Sequence, residues 1–492
     1  MTAQSIEADA TFKPPGPGEW RRLADHFPGA LTAEYRRIYV ETCPSGMAAY
    51  MSRYGVLARS LDVAFVNGHL YVSPVPLAGP REAKKAPPAV AVWVMSRMLP
   101  AFRRRTKAAR AAIEGRPWCE VADHWFTTER AQWVERNSAM EAVDVQGLDL
   151  ASFLDHLRTS RELAVDGYLR HFDLHGDDLI PIGLLLARCG EWGIEPSVAL
   201  HSLDGASPVS AGAVEPEAWQ IVTGYDLDNL AWCELAQRAP RVPVTVEGLD
   251  LHPLVPTEDH DELDRLVTDA RLAIPLRDDN GVITGAWPMG LLRRVMLEAG
   301  RRLGFADPTL AIEATTDELA SALSGGGNLS ASLVERRQLR RLQSRLDAPL
   351  TLGPRFALPP LAALPRPLAL MAAGMLTFAD NMSTAADPVG VGSSSHTGTA
   401  IVVDDANEAL DLIEPGAVVI TRFTSPSWNM ILAHAGAVVT TTGGLTSHAA
   451  VLARELGIPA VIGDRTAMQR VSSGQLVIVD PVAATVSLAR ES

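Results

Sequence analysis

The sequence predicts a multidomain protein in which a mostly α-helical N-terminal region precedes a C-terminal β/β/α domain. Length is the first reason, because 492 residues exceed what one hydrophobic core normally serves. The second is a change in apolar periodicity, from helical spacing between Trp20 and Glu318 to short β-branched runs near the C-terminus. The third is a glycine- and serine-rich stretch between the two patterns. We therefore predict a helical region at 1–375, a flexible linker at 376–398 and a compact domain at 399–492.

The N-terminal region has the residue spacing of amphipathic helices. Residues 89–113 and 290–304 place apolar side chains three and four positions apart, with arginine or lysine between them. Asn67-Gly68 separates the runs VAFV and LYV and predicts a hairpin turn. The stretch 358–379 is apolar, but prolines and an arginine interrupt it. Since proline breaks helices, we do not expect this stretch to span a membrane.

The composition is that of a folded, acidic protein. Hydrophobic residues make up 47% of the chain and charged residues 21%, which excludes an intrinsically disordered protein. The formal net charge of −14 argues against nucleic acid as a partner. The cysteines form no closely spaced pair, and the N-terminus lacks the pattern of a secretory signal. We expect a cytoplasmic location, no metal site in the chain, and no nucleic-acid or membrane partner.

The C-terminal domain alternates short strands with two helices. The β-branched runs AIVV, AVVIT, AVVTT, PAVIG, LVIVD and TVSLA predict strands. The segments PSWNMILAHAG and TSHAAVLARELG between them predict helices. This pattern is typical of one compact domain of mixed α and β structure.

The strongest local signal for chemistry is TTGGLTSHAA, which leaves a predicted strand and opens a helix. Gly443 and Gly444 predict a tight bend, and Thr446 or Ser447 is the expected N-cap. His448 then lies in the first helical turn, where backbone N–H groups and the helix dipole favour a phosphate. We expect the hydroxyls of Thr446 and Ser447 to donate to this phosphate, and the two glycines to let the backbone come close to it. A neutral imidazole is a nucleophile near pH 7 and can carry a phosphoryl group. The other interpretation is a cap-adjacent histidine that only hydrogen-bonds to backbone.

Arg454 lies farther along the same predicted helix. Its guanidinium is a candidate ligand for a phosphate oxygen. The sequence equally allows an ion pair with Glu455 or with Asp464.

The run GGLTSHAAVLARELGIPAVIG resembles the signature of the mobile phosphohistidine domain of phosphoenolpyruvate-utilising enzymes, a family that includes phosphoenolpyruvate synthase, pyruvate phosphate dikinase and rifampin phosphotransferase. The resemblance extends upstream through GAVVITRFTSPSWNMILAHAGAVVT. It implies a swivelling domain in which His448 is phosphorylated. The sequence departs from the family pattern at SSSHTGTA and at VDPVAATVSL. We expect His396 and His434 to be surface or packing residues.

The donor and the acceptor are also implied by resemblance. The helical region is similar to the segment that precedes the mobile domain in rifampin-phosphotransferase-like and two-component enzymes, such as phenylphosphate synthase. The loop SGGGNLS lacks a preceding strand and a following lysine, so we do not expect it to bind nucleotide. The resemblance implies a separate ATP-grasp subunit that phosphorylates His448 from ATP, giving AMP and phosphate. Mg²⁺ would accompany the nucleotide, and no tightly bound organic cofactor is expected.

The acceptor is expected to be a small molecule with a hydroxyl group, bound by the N-terminal region. No pyruvate-binding barrel follows the C-terminal domain in this sequence, so pyruvate is not the expected acceptor. Proton-accepting or cationic side chains are the candidates for binding it. They are His171, His175, His201 and Arg277.

Each of these candidates has an alternative interpretation. The segment HFDLHGDDL, which contains His171 and His175, is also typical of a helix end with ordinary caps. Its His-x3-His spacing resembles a metal site, which we discount because the ligands do not clearly share one helix face. Trp125, Trp133 and Trp287 are candidates either for an apolar acceptor pocket or for the core.

Two other functions remain open from the sequence. The chain is then either a self-contained phosphotransferase with a nucleotide site in its N-terminal region, or a non-catalytic binding or regulatory subunit with a vestigial phosphohistidine domain. Labelling of His448 by ATP, with and without a partner, distinguishes the three.

Overall fold

The computed structural model describes residues 11–24, 27, 29–81, 85–206, 246–355, 357–382, 387–404, 406–424 and 428–489. Within these ranges it confirms the predicted fold class, a helical N-terminal region followed by a C-terminal domain with a mixed sheet. Among the described cysteines, Cys43, Cys119 and Cys189 are free thiols, and Cys233 lies outside the described residues.

The α-helices of the described chain are numbered in order. They are α1 (Ala33–Tyr54), α2 (Ala89–Met98), α3 (Pro100–Gly115), α4 (Pro117–His124), α5 (Arg130–Glu141), α6 (Leu150–Glu191), α7 (Pro196–His201), α8 (His260–Asp279), α9 (Trp287–Arg302), α10 (Thr316–Leu323), α11 (Ser330–Ser344), α12 (Arg366–Met382), α13 (Ala406–Leu412), α14 (Asn429–Leu432), α15 (His448–Leu456) and α16 (Ala467–Arg470). Two π-helical turns, Trp125–Glu129 and Asn280–Ala286, join α4 to α5 and α8 to α9.

The strands are numbered in the same way. They are β1 (Trp20–Arg22), β2 (Ala58–Val66), β3 (His69–Pro76), β4 (Thr351–Leu352), β5 (Val389–Val391), β6 (His396–Val402), β7 (Val418–Thr421), β8 (Ala437–Thr440), β9 (Ala460–Ile462), β10 (Leu476–Asp480) and β11 (Thr485–Leu488).

Helix α6 is the central element of the helical region, and α1, α8 and α12 pack against it. Close helix crossings depend on small residues. A Cβ on Gly183 of α6 would lie only 2.7 Å from the carbonyl oxygen of Gly374 in α12. A Cβ on Gly176 would lie 2.6 Å from the ring of Tyr54 in α1. Gly176 and Gly183 therefore serve packing. The interpretation of HFDLHGDDL as a helix end is wrong, because this segment lies within α6.

A small antiparallel sheet of order β2-β3-β1-β4 covers one end of the helical region. Its β2–β3 hairpin confirms the predicted turn. Asn67 and Gly68 both have positive φ, 47° and 78°, which is the geometry of a type I′ turn. Trp20 and Tyr71 pack with Leu352 in the core of this sheet.

The three tryptophans considered for an acceptor pocket belong to the helical core. Trp125 and Trp287 are almost completely buried, and Trp133 packs in the same cluster. The indole of Trp125 donates to Asp279 Oδ2 at 3.2 Å. The indole N–H groups are paired with carboxylates, so the core interpretation accounts for these residues.

The C-terminal domain is built on a seven-stranded sheet of order β11-β10-β6-β7-β8-β9-β5. Strands β6, β7, β8 and β9 are parallel, and β10, β11 and β5 are antiparallel additions at the two sides. Apolar side chains cover both faces of the sheet, with α14 and α15 on one of them. Each β-branched run singled out in the sequence forms one of these strands. His396 packs within the sheet, where its Nε2 lies 2.8 Å from the carbonyl oxygen of Gly416.

The segment predicted as a flexible linker, 376–398, contains regular structure. Helix α12 extends into it as far as Met382, and β5 and the start of β6 follow. A Cβ on Gly390 would lie 1.7 Å from the carbonyl oxygen of Pro481. Glycine is therefore required at this position by close backbone packing. The predicted domain boundaries stay a prediction.

The described part of the chain has no helix that is both long and apolar enough to cross a membrane.

Candidate functional site

The segment from β8 to α15 places His448 at the start of a helix. After Thr440 the chain turns through Gly443, whose φ is 109°. Ser447 is the N-cap, and its Oγ accepts a hydrogen bond from the backbone N–H of Ala450 at 3.4 Å. The imidazole therefore stands on the first residue of α15. Of the two N-caps that the sequence allowed, the structure selects Ser447.

The two glycines form the bend that supports this cap. A Cβ on Gly443 would lie 2.9 Å from Ser447 Oγ, so only glycine lets the cap side chain pack against the turn. The carbonyl oxygen of Gly444 accepts from the backbone N–H of Ser447 at 3.0 Å. The bend and the cap thus hold the helix N-terminus in one arrangement.

The imidazole of His448 is oriented by Thr424, which lies three residues after the end of β7. Thr424 Oγ1 lies 2.8 Å from Nδ1 of His448, and Thr424 is buried. In the tautomer with a proton on Nδ1, this nitrogen donates to Thr424 Oγ1. His448 itself is only partly buried. The contact thus restrains Nδ1 and the orientation of the ring.

Sequence reasoning missed Thr424. It lies in the run RFTSPSW, 24 positions from His448. Strands β7 and β8 are parallel and Thr421 is in register with Thr440, so the segments that follow both strands meet at the same edge of the sheet. This parallel pairing is the signal that could have identified Thr424, since sites lie at the carboxyl ends of parallel strands.

Thr446 anchors the His448 loop on the helical region. Its backbone N–H donates to the carbonyl oxygen of Asn381 in α12 at 3.2 Å. Its carbonyl oxygen accepts from Nη2 of Arg277 in α8 at 3.2 Å. Leu445 beside it packs against the cores of both domains. The C-terminal domain is therefore docked with the His448 loop against α8 and α12.

Arg454 is buried within this docked interface, and its side chain is only 7% exposed. Nη1 donates to the carbonyl oxygen of Leu445 at 2.9 Å, and Nε lies 3.5 Å from Asp204 Oδ1. Burial lowers the pKa of Arg454 to about 10, opposed by the charge of Asp204. The guanidinium is thus directed at the His448 loop and the helical region. The alternative partner Asp464 forms an ion pair with Arg470 instead.

His201, the last residue of α7, extends this network. Its Nδ1 lies 2.8 Å from Asp204 Oδ2, while the other oxygen of Asp204 faces Arg454. His201 therefore contacts the C-terminal domain through one carboxylate. Together with Arg277 it lies at the docked interface.

His171 and His175 are one turn apart on α6, and their ring centroids are 4.5 Å apart. Nδ1 of His171 lies 3.2 Å from Asn280 Oδ1, and Nδ1 of His175 lies 3.4 Å from Asp178 Oδ2. The amide nitrogen of Asn280 donates to Asp178 Oδ2 at 3.2 Å, which joins the two pairs. We call these four residues the histidine cluster.

Asn280 was not predicted from the sequence. It begins the π-helical turn Asn280–Ala286, and such turns often occur at functional sites. Arg277, which contacts the His448 loop, lies three residues before it in α8. The histidine cluster and the His448 loop therefore both contact the segment 277–280, the first through Asn280 and the second through Arg277.

The carboxylate next to the histidine cluster has an unusual protonation equilibrium. Burial raises the pKa of Asp177 to about 6, even though the hydroxyl of Tyr54 donates to it and Arg53 lies 3.2 Å away. Among the described residues, no group of three His, Cys, Asp or Glu side chains is arranged to hold a metal ion.

The geometry thus places a histidine at a helix N-terminus and restrains its Nδ1. Residues 413–483 match the sequence model of a family described as "PEP-utilising enzyme, mobile domain". The C-terminal domain is therefore a mobile domain of the phosphoenolpyruvate-utilising enzyme family, as the resemblance predicted.

Several curated proteins are similar to this chain. The uncharacterized phosphotransferase YvkC of Bacillus subtilis is 36% identical over 169 residues, which cover 33% of this chain and 19% of that protein. Phosphoenolpyruvate synthases of Aquifex aeolicus and Escherichia coli are 43% and 45% identical over 91 and 89 residues, 18% of this chain and 10% and 11% of those proteins. The chain thus spans less than a fifth of the length of these relatives. The match to the Bacillus protein is longer than the C-terminal domain and includes part of the helical region.

Proposed function

We propose that this chain is the phosphocarrier component of a phosphotransferase. His448 receives a phosphoryl group and passes it to a hydroxyl of a small molecule held by the helical region. The observation that carries the proposal is the restrained imidazole: Thr424 holds Nδ1, and the ring stands at the start of α15 in a mobile domain of a phosphotransferase family.

The loading step follows from the tautomer. The lone pair of Nε2 attacks the β-phosphorus of ATP, a P–N bond forms, and the bond from this phosphorus to AMP breaks. Water takes up the γ-phosphoryl group, so AMP and phosphate are the products. The backbone N–H groups at the start of α15 and the Ser447 hydroxyl stabilise the added negative charge. Mg²⁺ accompanies the nucleotide.

The donor site belongs to a separate ATP-grasp subunit in this proposal. The glycine cluster SGGGNLS supports it, because the structure places this segment between helices α10 and α11 rather than after a strand. A phosphate-binding glycine loop normally leaves a strand and opens a helix. Gly325 and Gly327 instead adopt positive φ in a helix–helix connection.

The unloading step uses the docked arrangement. The acceptor oxygen attacks the phosphorus on His448, the P–N bond breaks, and a histidine of the cluster takes the hydroxyl proton. This proton transfer requires the acceptor hydroxyl to lie within hydrogen-bond reach of that histidine while its oxygen attacks the phosphorus.

The test is phosphorylation of the full chain by ATP labelled at the β-position, with Mg²⁺, alone and with a candidate ATP-grasp subunit. We expect an acid-labile, base-stable phosphate on His448 only when the subunit is present. Label in the chain alone would replace the split enzyme by a self-contained phosphotransferase. Full activity of a His448→Asn variant in the reconstituted system would instead support a regulatory subunit.

A further inference from the structure

Helix α2 is apolar on two opposite faces. Val92 and Ser96 are buried against the helical region, yet Val90 and Met98 on the outer side are 75% and 71% exposed. The outer stripe has the three- and four-residue spacing of one helix face and continues into the turn to α3. Its members are Val90, Trp93, Val94, Met98 and Leu99. A helix that is apolar all round is normally covered, so a partner for this face is expected.

The adjoining helix α3 carries an exposed basic face. Residues 85–116 contain eight lysines and arginines and one acidic residue, a formal charge of +7 in a chain whose net charge is −14. The four exposed cations of α3 follow the spacing of one helix face. They are Arg103, Arg104, Lys107 and Arg110. Positive charge is therefore concentrated beside the apolar stripe.

These cations differ from two paired arginines of α11. On α11, Arg336 pairs with Glu318 at 2.6 Å and Arg340 pairs with Glu313 at 2.6 Å. None of the four α3 cations forms an ion pair with any residue that the structure describes. Their charge is therefore available to an anionic partner.

The chemistry of the face narrows the kind of partner. In a twofold dimer, the cations of one copy would face the same cations of the other copy, and this repulsion is unfavourable. The phosphates of a nucleic acid would pair with the cations, but they would leave the exposed valines and methionine without apolar contacts. The exposed residues between Ala89 and Pro100 include no neutral polar side chain, whereas specific protein interfaces carry about one hydrogen bond per 100–200 Å². Apolar side chains flanked by cations are typical of helices at anionic membrane surfaces.

We propose that the outer face of α2 and α3 binds an anionic lipid surface. The apolar stripe enters the headgroup region, and the cations of α3 contact lipid phosphates. Arg97 lies within the stripe, and its guanidinium is 4.5 Å from the centroid of the Trp93 ring. The sequence-based expectation of no membrane partner considered only a spanning helix, and this proposal replaces it. It does not depend on the proposed phosphotransferase function.

The test is co-sedimentation of the full chain with vesicles of phosphatidylcholine alone and of phosphatidylcholine with phosphatidylglycerol in equal amounts. Two variants each remove one part of the face. The first, Val90→Ser with Trp93→Glu, disrupts the apolar stripe, and the second changes the four cations of α3 to Gln. The matched control is Val334→Ser with Leu339→Ser, which removes two exposed apolar residues from α11.

We expect binding to the anionic vesicles only, weakened roughly fivefold for each cation removed and lost in the Val90→Ser, Trp93→Glu variant. The control should bind like the wild type. Because the changed residues are exposed, all variants should keep the wild-type thermal melting temperature. Failure of the wild type to sediment with anionic vesicles would overturn the proposal and leave an acidic protein as the partner of this face. So would binding that the Val90→Ser, Trp93→Glu variant retains.

Discussion

The two candidate sites of this protein are built in different ways. In the C-terminal domain the residues around His448 come mainly from one continuous loop, and Thr424 is added from the segment that follows β7. In the helical region the histidine cluster joins residues of α6 to Asn280, more than 100 positions away in the chain. The first site therefore depends mainly on residues that are close together in the sequence. The second site forms only when the long helices pack, so mutations in it should change the stability of the helical region.

The largest expected effect comes from the local site. His448→Asn keeps a polar side chain but removes the nucleophile, so phosphorylation by the donor system should fall below detection. The free energy of unfolding should change by less than about 1 kcal/mol, because the imidazole is partly exposed. Mass spectrometry of the phosphate label checks the loss of phosphorylation, and urea unfolding checks the stability. Phosphate that persists in this variant would assign the carrier role to another residue.

Thr424→Val removes the hydrogen bond to Nδ1 while keeping the shape of the side chain. A hydrogen bond of about 1 kcal/mol corresponds to a phosphorylation rate about fivefold to tenfold lower, and a shifted ring tautomer should appear in nitrogen NMR. Thr442→Val is the matched control, because that hydroxyl bonds the carbonyl oxygen of Arg422 and not the imidazole. Equal rates in both variants would show that Thr424 does not orient His448.

The docked interface links the two sites and can be weakened separately. Asp204→Asn removes the charge that faces the buried Arg454, and Arg277→Gln removes the donor to the Thr446 carbonyl. We expect each to increase amide hydrogen exchange in residues 442–448 by about fivefold, without slowing the loading of His448. Arg265→Gln, on the exposed side of α8, is the control. Unchanged exchange in the two interface variants would contradict the docked arrangement.

Mutation of the histidine cluster should lower the stability of the protein without affecting phosphorylation, which is the opposite of the pattern expected for His448. Asn280→Ala leaves the buried Asp178 without its amide donor, and we expect a loss of about 2 kcal/mol in the free energy of unfolding of the helical region. Loading of His448 should be unaffected. Urea unfolding followed by tryptophan fluorescence measures the loss. A variant as stable as the wild type would mean that the cluster is not coupled to packing.

The last prediction concerns the pH dependence of stability that Asp177 causes. Its pKa is about 6 in the folded protein and lies near 3.8 in the unfolded chain. A raised folded pKa stabilises the protein below the unfolded value, and this contribution is lost as the pH rises from about 4 to 6. Relative to Asp177→Asn, the wild type should therefore lose on the order of 2 kcal/mol across this range. A stability difference that stays constant with pH would show that Asp177 is not protonated in the fold.

The sequence by itself determined the local features of the protein. The glycine bend, the N-cap and His448 follow one another within ten residues, and the Asn67-Gly68 hairpin is equally local, so their geometry follows from backbone preferences. Tertiary structure alone decided that Thr424 meets His448, that Arg454 faces Asp204 and that Asn280 joins the histidine cluster. These contacts depend on which strands and helices become neighbours, information that residue spacing does not contain. The glycines of the predicted linker show the same limit, because only the packed strands reveal that Gly390 serves close contact with Pro481 and not flexibility.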